Sequence, residues 1–260
     1  MKPHDHIGWV FAGPGEFAEL ATPFLREGAA RGERLMYVAA DDARADLAGL
    51  TRVLGQDAVQ VASIAEVYGP TGIVDAGQQR ATFEAALADA VTAGYSGIRV
   101  AADNTPLVTD ERKLAAWIKW EIIADRLMSS RPITGLCAFD RSKVDVNRLR
   151  HLATLHPLSS AASPVPQFRL FNDEGNLRVE GEIDSSAISQ LRLALSALPA
   201  KTGILVDLAT ATLLSGTALG GLGRLASAGF DVIVRGQAAA IERLTTSGGT
   251  STERFIFQTA

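Results

Sequence analysis

Cysteine is almost absent: Cys137 is the only one in 260 residues. A single thiol excludes an internal disulfide, and with only four histidines a zinc cage is not expected. An excess of one charge sign is missing too. The 25 basic side chains face 29 acidic ones, a net charge of −4, which gives neither nucleic acid nor an anionic membrane a reason to bind. No uncharged apolar run approaches the ~20 residues of a membrane span. The opening Met-Lys-Pro-His-Asp-His lacks the apolar core of a signal peptide. What the chain does have is aliphatic material. With 47% hydrophobic and 21% charged residues it can fill real cores, so disorder is excluded for most of its length. At ~100–200 residues per domain the length suits two domains better than one. A cytoplasmic, reduced protein is the expectation.

The clearest break is Leu158-Ser-Ser-Ala-Ala-Ser-Pro-Val-Pro166, whose small residues and two prolines suit a linker. Domains are therefore expected over 1–157 and 167–260, joined by 158–166. Before the break, apolar runs alternate with helical periods. Strands are predicted at 7–12, 34–40, 59–65, 97–102 and 133–139. Helices are predicted at 16–31, up to Leu54 after a cap at Asp41 and Asp42, and at 78–93, 110–128 and 145–155. The helix over 110–128 places Leu114, Trp117, Ile118, Glu121, Ile122 and Asp125 at spacings of three and four. This alternation predicts an α/β domain with a parallel sheet covered on both faces, a three-layer arrangement. After the break, strands are expected at 168–171, 177–183, 203–209 and 230–235, with helices at 185–198, 214–228 and 238–246.

In the second half, Val179-Glu-Gly-Glu-Ile-Asp184 with a Ser-started helix, Ile204-Leu-Val-Asp-Leu208 and Ala218-Leu-Gly-Gly-Leu222 resemble a STAS domain, the fold of anti-sigma factor antagonists. The similarity runs from about Phe168 to Gly249. It implies a STAS-like α/β domain that binds a serine-kinase-type anti-sigma factor or another STAS protein. In that family the loop before the second helix carries an Asp and then the serine that a partner kinase phosphorylates. Here Leu213-Leu-Ser-Gly-Thr-Ala-Leu219 aligns Ser215 with the Asp, Gly216 with the phosphoacceptor and Thr217 beside it. The acceptor hydroxyl is therefore missing, and Ser215 and Thr217 have a plainer role as helix caps. Asp184 and Asp207 complete the expected partner-binding loop region, Asp207 at its mouth.

The first half resembles the MEDS domain, a sensory domain of bacterial regulators. The matching stretches are His6-Ile-Gly-Trp-Val-Phe-Ala-Gly-Pro-Gly-Glu16, Pro23-Phe-Leu-Arg-Glu-Gly28 and Gly32-Glu-Arg-Leu-Met-Tyr-Val38. Gly94–Asp103, Glu121 with Asp125, Leu136-Cys-Ala-Phe-Asp140 and Leu155-His-Pro157 extend the match over 4–157. The same stretch is similar to RecA-like ATPases of the circadian-clock type. A phosphate loop, however, needs Gly-x-x-x-x-Gly-Lys-Ser/Thr. Gly13-Pro-Gly-Glu-Phe-Ala-Glu19 offers neither the lysine nor the hydroxyl, and Glu16 and Glu19 repel phosphate. The resemblance thus implies a RecA-like scaffold without nucleotide hydrolysis.

A ligand pocket in an open α/β sheet belongs beyond the carboxyl ends of its strands, here Ala12–Glu16, Asp41, Asp103–Thr105 and Phe139-Asp140. His6, Glu16, Arg99, Asp103, Glu121, Cys137 and Asp140 are the candidate ligand-binding residues for a small molecule. Each has a structural alternative: His6 as a strand-edge residue, Arg99 with Glu121 as an ion pair, Cys137 as a small core residue. A Cys137–His156 dyad stays open, since such partners meet only in space. No activating loop flanks Cys137, however. His4, His6, His151 and His156 show no metal-ligand spacing, and no cofactor is expected. Trp117 and Trp120 are read as packing. The expectation is a non-enzymatic signalling regulator, a sensor coupled to a STAS-like protein-binding domain. The alternative is a divergent nucleotide-binding enzyme on the first domain.

Overall fold

The computed structural model describes residues 5–39, 47–55, 58–160, 162–199, 201–247 and 252–259. His4 and the expected cap at Asp41 and Asp42, with Asp41's place in the pocket, lie outside them. Among the described residues, no helix is long and apolar enough to cross a membrane. The chain divides into two compact units, Met1–Val165 and Pro166–Ala260.

The first unit is α/β with an all-parallel sheet, as the alternation predicts. Its strands are β1 (His6–Phe11), β2 (Arg34–Ala39), β3 (Val59–Ser63), β4 (Ile98–Asp103), β5 (Ile133–Asp140) and β6 (Leu158–Ser159), in the order β3-β2-β4-β5-β1-β6. The helices are α1 (Pro14–Ala30), α2 (Leu47–Leu54), α3 (Ile64–Tyr68), α4 (Ala76–Thr92), α5 (Glu111–Ser130) and α6 (Val146–Ala153). A 3-10 turn, Thr105–Leu107, follows β4. Successive strand residues alternate between faces, so each strand feeds two layers. Ile7, Phe11, Leu35, Tyr37, Ala101, Leu136 and Ala138 pack with Phe17, Phe24 and Leu25 of α1 and Leu50 of α2. The other face belongs to α3–α6. There Trp117 of α5 meets Tyr68 and Phe139, and Phe83 of α4 stacks on Trp120. Gly135 of β5 makes room for Met128, whose methyl would lie 2.5 Å from an added Cβ.

Two expectations change here. Residues 158–160 are not linker. Leu158 and Ser159 pair with Ile7 and Gly8, and Ser160 adds a bond from its N–H to the Gly8 carbonyl at 3.1 Å. An edge strand tolerates what a central one does not, so small residues suffice. The strand predicted over 59–65 stops at Ser63, because Ser63 and Glu66 form a capping box that starts α3.

The second unit has a mixed sheet of β7 (Phe168–Asp173), β8 (Asn176–Ile183), β9 (Ile204–Leu214), β10 (Val232–Gly236) and β11 (Ile256–Thr259), in the order β11-β10-β9-β8-β7. Among the described residues, only the β7–β8 hairpin is antiparallel. Its turn uses Glu174 and Gly175, both at positive φ. Helices α7 (Ser185–Leu195), α8 (Gly216–Ser227) and α9 (Ala238–Ser247) complete the unit. Gly221 of α8 lets Ile188 of α7 approach, with its Cγ2 2.8 Å from where a Cβ would stand. The expected loop after 209 is largely strand, a correction. β9 runs on to Leu214 because the β8–β9 register shifts at Gly181, where φ is +86° and a Cβ would meet the Gln167 carbonyl at 2.4 Å.

Candidate functional site

The strand-to-helix positions where a pocket is expected are tied up internally. Asp103, buried at the end of β4, accepts from the Thr105 N–H at 3.1 Å, and Thr105 Oγ1 accepts from the Asp140 N–H at 2.8 Å. Burial raises the Asp103 pKa above its ordinary value. Asp140 Oδ1 in turn accepts from the N–H and hydroxyl of Ser142. Glu16 accepts from the Ala12 N–H at 2.6 Å and closes the turn before α1. These residues organise turns at one end of the sheet.

Arg99 sits on the α1 face of β4. It ion-pairs with Glu33, lies 3.8 Å from Glu27 and stacks over the Phe24 ring at 4.7 Å. The structural alternative that paired it with Glu121 is therefore corrected. Arg99 shares strand parity with Ala101 of the α1 layer, whereas Glu121 lies on the opposite face of the sheet.

Opposite that layer, beneath the middle of the sheet, ionisable side chains converge with no exposed member. His6 comes from the start of β1, Cys137 from β5, Glu121 and Asp125 from one face of α5, and His156 from the segment between α6 and β6. Their exposures run from 0% for Glu121 and His156 to 7% for Cys137. Glu121 and Asp125 are one helical turn apart, so both point at β1. Gly8 admits His156, whose Cγ would be 2.7 Å from an added Cβ.

The contacts are specific. His6 Nδ1–H donates to Asp125 Oδ1 at 3.0 Å, and His6 Nε2 faces Glu121 Oε2 at 3.1 Å. His156 Nδ1–H donates to the Leu152 carbonyl at 2.8 Å, which turns its Nε2 toward Glu121 Oε1 at 3.2 Å. Cys137 Sγ lies 3.6 Å from His6 Nε2 and 3.8 Å from Glu121 Oε2. The two imidazole rings are 4.5 Å apart, and Phe139 meets His156 edge-on.

Burial by itself would lower both histidine pKa values. For His6, hydrogen bonds to Asp125, Cys137 and Glu121 and the Glu121 charge outweigh it, and the pKa stands well above the ordinary value. For His156 the Glu121 charge dominates the opposing effects and the value is pushed up to about 9. Burial would raise Glu121, yet the His156 and His6 charges hold it well below the usual carboxylate range. Tyr68 is raised by burial and then by Cys137 and Glu121. Such a group can exchange a proton, hold a small polar ligand, or bind a cation through its N, O and S atoms.

Of the candidate residues read from sequence, the structure brings together His6, Glu121 and Cys137, and leaves Glu16, Arg99, Asp103 and Asp140 elsewhere. His156, considered as a dyad partner and discounted as a metal ligand by its spacing, is a full member, and Asp125 and Tyr68 are additions to the candidate set. The i, i+4 spacing of Glu121 and Asp125 was the available signal. A cavity of about 460 Å³ lies apart from the cluster, between β2–β3 and α3–α4, lined by Met36, Gln60, Glu66 and Phe83 among others.

In the second unit, Asp184 caps α7 through the Ser186 and Ala187 N–H groups, and Ser215 caps α8 through the Ala218 N–H at 3.1 Å. Gly216 opens that helix with nothing within 4 Å of an added Cβ, and Thr217 is exposed. Asp207 accepts from the Ala209 N–H and pairs with Arg178 at 3.4 Å.

A search of curated proteins gives no match to the chain. A family model does match, over residues 5–157, more than half the chain and the whole of the cluster. The chain belongs to the family of the MEDS domain, the methanogen/methylotroph, DcmR sensory domain.

Proposed function

We propose that the chain is a non-enzymatic signalling regulator, in which the sensory unit receives a chemical signal and the second unit relays it by binding another protein. The observation that carries the sensory part is the enclosed His6–Glu121–Asp125–Cys137–His156 group. A core needs no such group for stability, because buried ion pairs roughly break even against apolar packing. Strongly shifted groups gathered in one place are more typical of functional sites.

For the second unit, the hairpin, the three parallel strands and the capped α8 support a STAS-like reading. Its partner is an anti-sigma factor of the serine-kinase type or another STAS protein. Ser215 spends its hydroxyl on the cap and Gly216 has none, which favours control by contact rather than by phosphate. The enzymatic alternative is disfavoured at the turn before α1. There the Glu16 carboxylate takes the Ala12 N–H, placing negative charge where a nucleotide phosphate needs donors.

The test compares the full-length chain with its His156→Gln variant in capture of the same identified partner. A several-fold change in affinity supports the relay. Equal affinity for both, or magnesium-dependent ATP turnover by the wild-type chain, overturns it.

A further inference from the structure

We propose that His6, Glu121, Cys137 and His156 form a binding site for one divalent transition-metal ion of the zinc type. The inference deepens the sensory reading and rests on it only for its purpose, not for its chemistry. One donor atom from each of the four residues lies within 4.8 Å of all the others, and all four residues are buried. A tetrahedral zinc ion with N and O ligands at ~2.0–2.1 Å and S at ~2.3 Å sets its ligand atoms about 3.3 Å apart, or about 3.6 Å where sulfur is one of the pair. The observed separations to Glu121 Oε2 are 3.1 Å from His6 Nε2 and 3.8 Å from Cys137 Sγ, Sγ lies 3.6 Å from His6 Nε2, and His156 Nε2 lies 3.2 Å from the other carboxylate oxygen, Oε1.

The outer contacts supply an independent argument. Metal-bound histidines characteristically donate their second ring N–H to a carboxylate or a backbone carbonyl, which fixes the tautomer and aims the other nitrogen. Both histidines here do so: His6 Nδ1 to Asp125, His156 Nδ1 to the Leu152 carbonyl. Both Nε2 atoms therefore turn inward, toward a carboxylate and a sulfur.

With the rings neutral, as metal ligands must be, that inner set is rich in lone pairs and poor in protons. Protonating the rings makes His156 Nε2 and Glu121 Oε1 an ion pair at 3.2 Å, but neither atom gains a well-directed hydrogen bond, although both residues are 0% exposed. A buried charge pair without good hydrogen-bond geometry is costly to desolvate. A divalent ion accepts those lone pairs directly. With a Cys137 thiolate and a Glu121 carboxylate it leaves the four ligands and the ion with no net charge, as a buried site requires. The thiol proton leaves to solvent on binding, so one proton is released from sulfur for each ion taken up, in addition to any held on the rings.

The test uses the full-length chain, stripped with a chelator and reloaded with zinc or cobalt(II). The expected result is one ion per chain by elemental analysis. Cobalt should add a thiolate-to-metal charge-transfer band in the near ultraviolet and intense visible bands of four-coordinate geometry. Cys137→Ser should abolish the charge-transfer band, and Asp125→Asn should weaken metal affinity about 10–100-fold while leaving the stoichiometry at one. Circular dichroism establishes that each variant is folded. A folded wild-type chain that takes up neither metal, or a cobalt spectrum indifferent to Cys137→Ser, overturns the site. Metal uptake without any effect on partner affinity retains the site and overturns the sensory relay, so the two failures are separable.

Discussion

At the scale of single residues, Gly8 shows how narrowly the buried cluster is built. An alanine methyl there would stand 2.7 Å from His156 Cγ, inside a strand paired on both sides. Gly8→Ala is expected to destabilise the first unit by about 1–3 kcal/mol, the range for overpacking a filled core, as read by urea unfolding. The same substitution at Gly13, where no described residue comes within 4 Å of an added Cβ, tests the other extreme. Its φ of +83° makes its cost one of backbone strain alone. Sequence could nominate His6, Glu121 and Cys137 because buried polar residue types stand out in apolar runs. It could not separate Arg99 from them, since that needs the parity of β4 relative to β5. Arg99 pairs in register with Thr134, whereas Cys137 pairs with Ala102, and the two side chains leave opposite faces. His156 could be named only as an open partner for Cys137, because Gly8, 148 positions away in the chain, is what makes room for it.

At the scale of elements, aspartates mark where helices begin. Asp75, Asp110, Asp145 and Asp184 each accept N–H groups at the start of α4, α5, α6 and α7. These starts were legible within two residues, because a short carboxylate before an apolar period has few other uses. Asp184 makes the cap testable. Its pKa is lowered chiefly by the Ser186 hydroxyl and then by the Ala187 N–H. Its stabilisation is therefore fully present above the ordinary value of ~3.9 and is lost as pH falls through the depressed folded value. Asp184→Ala should cost about 0.5–2 kcal/mol at neutral pH. The difference between variant and wild type should vanish on acidification, as measured by thermal unfolding across that range. What sequence missed were the elements held by tertiary pairing. β6 has two residues and β11 four, too few to show a period, and each exists because a longer parallel strand lies beside it. The extension of β9 was hidden likewise, since a register shift at Gly181 leaves no mark in the sequence of β9 itself.

At the scale of the whole molecule, the boundary between units falls at Val165, within the stretch that composition marked as a linker. Its working length is shorter than composition implied, because 158–160 belong to the first sheet. Val165 is 87% exposed. Limited proteolysis with a proline-specific endoprotease should therefore release two fragments divided at Pro164 or Pro166, while an enzyme that cuts at leucine leaves Leu158 intact. Mass spectrometry of the early products reads this directly. Cleavage first at Leu158 would show that the edge strand is not held.

That edge strand ties the cluster to the way the polypeptide leaves the first unit. His156 stands four residues before Ser160, a tether of at most about 14 Å when fully drawn out. Ser160 is fastened to β1 twice, by its N–H to the Gly8 carbonyl and by its hydroxyl accepting from the Val10 N–H at 3.4 Å. His6 rides on the same strand. The two imidazoles and the exit point thus lie along one rail, joined by a short tether. Whatever draws His156 toward His6, or lets it go, pulls on the last knot before the chain departs.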